Sequence, residues 1–404
     1  MDMPTILVML VACAAAMGCI PTMLAAATES EDGTDMKENP SLSAIKRGSV
    51  GITERDDAHQ QVWRAGGGAS RAGGRGGGAN AGGFNTGSGS GGAGAGAGTG
   101  GLSEGFYSSS CPQVETVIEQ QVRVILQADI GQAAGILRIM FHDCFVQGCD
   151  ASLLLLRPTT EVTATPNNAS IRASSLRALD TIKAAIEAVC PGVVSCADTI
   201  VLSTKIAVKL SGGPIIPMRT GRRDGLSAAS NQTVVNNMPP PTLNITALKQ
   251  NFQNHGLDSR DLVSLSGGDT IGRAHCRFVD PQITPTISTD LNTAFALNLS
   301  RICLPANNPI KASQTTHLDF VAPNLFDNSY FNNILAKVAI FHTDAALTNA
   351  SDTLQLVQLY AQNQPLFFQQ FSQSMIKMSQ LNVLTGQQGE IRKKCSTPNQ
   401  FLNS

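Results

Sequence analysis

The chain is expected to be mostly α-helical, with one sizeable folded unit, and three features of its sequence predict this. Apolar residues recur at helical spacing in successive blocks beyond residue 105, beginning with Val114, Val117, Ile118, Val122, Ile125 and Leu126. Half of the 38 glycines crowd between Gly66 and Gly101, where no core can form, so any core must lie beyond them. Of ten cysteines, Cys13 and Cys19 fall in an apolar N-terminal stretch and eight come after Gly105. An even set suits disulfides formed in an oxidising compartment, although many pairings satisfy the count. A length of 404 residues would allow more than one domain, but this composition argues for fewer. Net charge is −1 and charged residues make up only 15%, so there is neither a basic face for nucleic acid nor an acidic tail.

Residues 1–27 read as a signal peptide: Thr5 to about Ala27 is apolar and ends in small residues. Asp2 stands where a basic residue is usual, and a membrane anchor is the alternative, but Pro21 interrupts the run. No second long apolar segment is present, so the mature chain is expected to be soluble, without a membrane partner. Residues 28–104 are polar, then glycine-rich, and read as a flexible arm carrying the only tryptophan, Trp63. No Gly-Lys-Ser/Thr occurs in it, so a phosphate-binding loop is not supported. The folded domain is expected over residues 105–404. Asn168, Asn231, Asn244, Asn298 and Asn349 head N-x-S/T acceptor sequences, in keeping with a secreted glycoprotein.

Within that domain Pro112 suits the first turn of a helix that runs to about Ala128. The stretch Ala134 to Ser152 comes next. Its first half reads as a helix on which Arg138 and His142, four residues apart, share a face. A cation and a titratable base then converge on one point, which suits splitting a polar bond and stabilising the charge that develops. In its second half Asp143, Asp150 and Ser152 supply oxygens, Gly148 permits a tight turn, and Cys144 and Cys149 could close the loop; such a loop suits Ca²⁺. The plainer account is a buried helix with a salt-bridged Arg and a core His before an Asx-rich turn, and it is less economical for all these residues together. Glu161 and Asn167 follow in a polar segment that would otherwise read as a turn at Pro166. Further helices are expected at Leu176–Val189, up to about Leu210, Leu243–Asn254, Asp258–Leu265, Asp327–Lys337, Thr353–Tyr360 and Pro365–Met378, with a break at Gly212-Gly213-Pro214.

From about Gly105 to Cys395 these motifs resemble the secretory plant (class III) haem peroxidases. The resemblance rests on Ala134–Ser152, on Cys190-Pro-Gly-Val-Val-Ser-Cys-Ala-Asp, on Gly221-Arg-Arg-Asp224 and on Leu265-Ser-Gly-Gly-Asp-Thr-Ile-Gly272. It implies a two-lobed haem-peroxidase fold around a central haem crevice, with bridges Cys111–Cys190, Cys144–Cys149, Cys196–Cys395 and Cys276–Cys303. It implies haem b, and two Ca²⁺ ions: one on Asp143, Val146, Gly148, Asp150 and Ser152, the other on Thr270, Asp319, Leu325 and Asp327. Ala322 stands where a hydroxyl oxygen is usual, which should weaken the second site. By resemblance, His142 moves the proton of hydrogen peroxide, Arg138 stabilises the developing charge, Phe141 limits access, and Asn167 with Glu161 orients His142. Small phenols would be the electron donors, and the protein a monomer of the cell wall or apoplast taking part in hydrogen peroxide catabolism and the response to oxidative stress. Arg219 occupies a place where a proline usually borders the aromatic substrate pocket.

One position departs. In the family the residue before Thr-Ile-Gly is the histidine that bonds the haem iron; here it is Asp269. Haem iron is held chiefly by His, Cys, Met or Tyr, so a lone carboxylate is an unusual ligand. His275, six residues on, would lie about 240° round the same helix and point elsewhere, and His317 and His342 have no family role. Phe341-His-Thr-Asp344 matches the segment whose Asp accepts the proximal imidazole N–H. With Asp269 present, two carboxylates would face each other and would share a proton or recruit a metal or water. Leu318 stands in place of an aromatic residue on the same side. Two functions are consistent with this: a haem peroxidase working through an unusual ligand, or a non-catalytic Ca²⁺-binding relative in the wall. A recent lesion or a sequence error, since one base change separates His and Asp codons, is the plain account of Asp269.

Overall fold

A computed structural model describes residues 101–156, 160–283, 286–303 and 314–402. The expected signal peptide and most of the glycine-rich arm lie outside the described residues. Leu102 is buried and Ser103 pairs with Thr220, so packing on the helical body includes residues ahead of the expected start at Gly105.

The α-helices are α1 (Val114–Ala128), α2 (Gln132–Val146), α3 (Thr165–Asn168), α4 (Ala173–Val189), α5 (Cys196–Leu210), α6 (Asn231–Asn237) and α7 (Ile245–Asn254). They continue with α8 (Ser259–Ser266), α9 (Cys276–Ile283), α10 (Thr293–Ile302), α11 (Ser329–Leu335), α12 (His342–Ala346), α13 (Ser351–Gln362) and α14 (Gln364–Met378). Among the described residues the only sheet is an antiparallel ribbon of β1 (Arg273–His275) and β2 (Thr315–His317), with Arg273 opposite His317.

The helical period of α1 buries Val114, Ile118, Val122 and Leu126, and this stripe packs on α4 and α5. Helix α2 packs on α4 and α5 in turn, so it is apolar almost all round. A second group forms where α8 meets α13 and α14 and α11 meets α13. These two groups are the two lobes. One apolar core runs through both, and a smaller one gathers Ala274, Val279, Leu299 and Ile340 around a disulfide. All four expected disulfides form: Cys111–Cys190, Cys144–Cys149, Cys196–Cys395 and Cys276–Cys303.

Local chemistry sets the helix starts. Ser195 caps α5 by accepting from the Asp198 N–H, and Asp258 and Asp261 form a reciprocal capping box on α8. Three expectations need correcting. Pro112 precedes α1, whose cap is Gln113, so its ring braces the approach and not the first turn. Helix α2 continues through Asp143 and Cys144 to Val146; Asp143 ends it from within, by accepting from main-chain N–H groups of the following loop. The helix holding Asp269 is not one continuous rod. Helix α8 stops at Ser266, Gly267–Thr270 is a tighter single turn, and His275 sits on β1. The 240° argument therefore does not apply to His275.

Candidate active site

The site lies where α2 faces the turn after α8. Two glycines permit that approach. A Cβ on Gly268 would stand 3.3 Å from Leu137, and one on Gly272, whose φ is +112°, would stand 2.9 Å from Ala134.

On the α2 wall, His142 is buried and its Nδ1 lies 2.7 Å from Asn167 Oδ1. Asn167 Nδ2 donates to the Glu161 carbonyl oxygen at 2.8 Å. That donation turns the Asn167 oxygen toward the ring, so Nδ1 carries the hydrogen and Nε2 the free lone pair. His142 Nε2 is buried and has no hydrogen-bond partner among the described residues. Burial, then the Arg138 charge, hold the His142 pKa well below its ordinary value, against the bond to Asn167. The ring is therefore neutral at neutral pH, as a proton acceptor must be. Arg138 is exposed to solvent yet closely flanked by protein, as a residue lining an open crevice would be. Desolvation lowers its pKa and the Asp269 carboxylate opposes that shift. Phe141 is half-buried, with its ring 4.4 Å from Phe145 and edge-on to His142 at 5.7 Å.

On the opposite wall, the Asp269 main chain belongs to the single turn after α8, and its carboxylate has no hydrogen bond among the described residues. Desolvation raises its pKa to about 6, against the pull of Arg138. Asp344 is buried and fully engaged: Oδ1 accepts from Tyr330 Oη and Oδ2 from the Phe341 N–H, both at 2.9 Å. Its pKa rises to about 7, first through desolvation and then through the Asp269 charge. The two carboxylates thus oppose each other electrostatically, and Arg138 is the cation nearest in effect. Two of the alternative histidines have side-chain partners of their own. His342 Nδ1 pairs with Asp290 at 2.8 Å, and His317 Nε2 stands 3.3 Å from Arg273. His275 feels the Arg138 charge from β1, and its buried Nδ1 is unpartnered among the described residues.

The oxygen-rich loop closes as its residue types suggest. Gly148 has φ +122°, and a Cβ there would meet main-chain oxygens of Leu381 and Asn382 at 2.8 and 2.7 Å. Asp143 accepts from the Ala151 N–H at 2.9 Å, and Asp150 from the Ser152 N–H at 2.9 Å. Val146 ends α2 above this loop. The Glu161 carboxylate also turns here, to Ser152 Oγ at 3.4 Å and the Ala229 N–H at 3.1 Å. Glu161 thus reaches Asn167 through its main chain and the loop through its side chain. Burial, with the Asp150 charge beside it, lifts its pKa to about 7; burial and Asp150 raise Asp143 as well. Carboxylates crowded so closely suit a cation. No cluster of three or more His, Cys, Asp or Glu side chains able to hold a metal occurs among the described residues, so main-chain and hydroxyl oxygens would complete the set.

Across the crevice, Thr270 Oγ1 donates to Asp327 at 3.0 Å and stands 3.5 Å from Asp319. Ser329 Oγ contacts both carboxylates, and Asn333 donates to Asp319 at 3.0 Å. Leu325 sits half-exposed on the intervening loop. Ser329, Asn333 and Tyr330 are not marked out by the sequence motifs. The run Asp327-Asn-Ser-Tyr330 carries the signal, since a hydroxyl two residues past a ligating Asp is a natural further oxygen.

The geometry on the α2 wall fits a flat metal-bearing group, because a buried base atom and a cation await a partner; the opposite wall offers it no nitrogen. Comparison with known proteins identifies the family. The family profile described as Peroxidase matches residues 118–363. The chain is similar to Peroxidase 12 of Arabidopsis thaliana, 42% identical over 301 residues, which covers 74% of this chain and 83% of the relative. It is similar to Cationic peroxidase SPC4 of Sorghum bicolor, 42% identical over 74% of this chain and 82% of that protein. Peroxidase N of Armoracia rusticana is 39% identical over 74% of this chain and 91% of its own length. A helical body with four matching disulfides, the profile over its centre and relatives aligned over most of their length lead to one conclusion: this chain belongs to the peroxidase family.

Proposed function

We propose that the chain is a secreted, class III-type peroxidase-like protein, with haem b in its crevice and Ca²⁺ on each side, and that Asp269 holds its turnover far below that of a histidine-bearing relative. The observation that carries this reading is the chain from Glu161 through Asn167 to His142, which leaves a lone-pair nitrogen free beside Arg138. Haem, when bound, would supply an iron centre for peroxide and for the oxidising equivalents passed to a phenolic donor. The chain's own part is proton handling. His142 Nε2 accepts a proton from one peroxide oxygen and returns it to the other as the O–O bond parts, so that water leaves. Arg138 offsets the negative charge that grows on the departing oxygen. Residues 1–27 would direct export, and no helix among the described residues is long and apolar enough to cross a membrane. All five N-x-S/T asparagines, including Asn168 and Asn298, are exposed, as glycan acceptors must be.

A second reading is favoured by Asp269 itself: a Ca²⁺-binding wall protein without catalysis. Reconstitution with hemin separates the two. A stoichiometric Soret band with guaiacol oxidation supports the first reading, and raising both by Asp269→His supports the role given to that position. Full Ca²⁺-dependent folding with no Soret band in either protein would leave only the second.

A further inference from the structure

We infer that the iron of any haem taken up by this chain is held by His142 Nε2, so that the residue placed to move protons serves instead as the axial ligand. The inference rests on the crevice reading above and concerns which wall grips the metal. Four observations lead to it. First, His142 Nε2 is a buried imidazole nitrogen on the crevice wall with no hydrogen-bond partner among the described residues. Second, its other ring nitrogen donates to Asn167 at 2.7 Å, and Asn167 is itself anchored to a carbonyl. That is the support a metal-bound imidazole ordinarily has, since it fixes the tautomer and strengthens the donor atom. Third, with Nδ1 carrying the hydrogen given to Asn167, Nε2 keeps its lone pair, so ligation there displaces no proton.

The fourth observation is what the opposite wall lacks. Asp344, which could support a proximal imidazole, accepts from Tyr330 and the Phe341 N–H, but the residue at position 269 gives it no imidazole N–H to support. Asp269 offers a hard oxygen that Arg138 already attracts, where haem iron ordinarily takes nitrogen or sulfur. Iron entering the crevice therefore meets, on α2, a buried nitrogen of a ring already fixed by a hydrogen bond; the unpartnered Nδ1 of His275 belongs to a ring that no hydrogen bond among the described residues holds. Ligation there would remove the base and so lower turnover without requiring the haem to be absent. The same geometry implies that a histidine at position 269 would compete for the iron and free His142 for proton transfer.

The test is a crossed set of variants titrated with hemin: native, His142→Ala, Asp269→His and the double variant, with His142→Gln as a polar replacement. In the native background, losing His142 should weaken hemin affinity by roughly 10–100-fold or more. It should also abolish the iron–histidine band in the resonance Raman spectrum of the ferrous complex. In the Asp269→His background the same change should leave affinity within about threefold and keep the band, while abolishing peroxide turnover. Circular dichroism and melting temperature confirm that each variant folds. If native protein and His142→Ala bind hemin equally and share one spectrum, the inference is overturned and the crevice reading stands. If the native chain binds no hemin at all, both are overturned.

Discussion

The two walls of the crevice differ in how completely their polar groups are used. On the α2 wall the polar groups form one ordered relay. Glu161 holds Asn167, Asn167 holds Nδ1 of His142, and only Nε2 is left open. On the other wall the support survives without the residue it would support. Asp344 is bound by Tyr330 and a main-chain N–H, while the Asp269 carboxylate has no hydrogen bond among the described residues; burial raises its pKa against the pull of Arg138, and its charge in turn raises Asp344. One side is preorganised for chemistry and the other is an unresolved electrostatic contest. The contrast centres on Asp269, with Leu318 and Ala322 as further departures on that side, because the helices and disulfides that position both walls are in place.

The strongest way to break that contrast is Asp269→His. A nitrogen there should raise hemin occupancy and, by freeing His142 as a base, raise guaiacol turnover on the order of 10²-fold or more. Side-by-side Soret titration and initial rates measure it. If occupancy rises and turnover does not, the α2 wall is less intact than its geometry indicates. A smaller effect sharpens the same point within the Asp269→His background. Asn167→Ala should lower turnover by roughly 10–100-fold, because the ring loses its fixed tautomer. The bond to Asn167 raises the His142 pKa, so its loss should move the acid limb of the rate profile to lower pH. A limb that moves upward would contradict the hydrogen-bond assignment.

The two walls are also unequally legible from the residues alone. The α2 wall is local: Arg138 and His142 share a helix face by spacing, and Asp143 to Ser152 close a loop within ten residues of chain. The opposite wall is assembled from distant pieces, and simple periodicity misleads there. Gly267-Gly268 ends α8 early, so His275 belongs to a ribbon whose partner strand begins only at Thr315. Helices α6 and α12 leave little trace in the periodicity because they are short, and α9 contains Pro281. The electrostatic link between Arg138 and Asp269 has no sequence signature, since it depends on how two lobes face each other.

The oxygen loops extend the comparison to Ca²⁺. The loop beside α2 has three raised or crowded carboxylates, Asp143, Asp150 and Glu161, and should bind the cation more tightly than the Asp319–Asp327 loop, which has Ala322 in place of a hydroxyl residue. Removing Ca²⁺ with a chelator should lower the melting temperature, because an ion bound only by the folded state stabilises it by mass action. Asp150→Asn should remove most of that response and Ser329→Ala a lesser part. Equal losses would mean that the two loops bind alike.

The smallest expected effect is the dependence of stability on pH in the hemin-free protein, and its sign comes from the carboxylate pair. Asp344 titrates near 7 in the folded chain and at about 4 once unfolded, where it meets water and no neighbour. Between those values the folded state keeps a proton that the unfolded state has released, so stability must fall as pH rises. This contribution is fully present below about pH 4 and is lost as pH rises through about 7. Glu161, also raised to about 7, acts in the same direction, so the native slope alone does not identify the wall responsible. The informative quantity is a difference of differences: urea unfolding at pH 5 and pH 8 for native protein, Asp344→Asn and Glu161→Gln. Asp344→Asn removes one titrating group and also the charge that Asp269 opposes. It should therefore flatten the pH 5-to-8 decline, whereas Glu161→Gln should remove its own share and ease Asp143, whose pKa the Glu161 charge also raises. A decline unchanged by Asp344→Asn would show that Asp269 and Asp344 do not oppose each other in the folded chain.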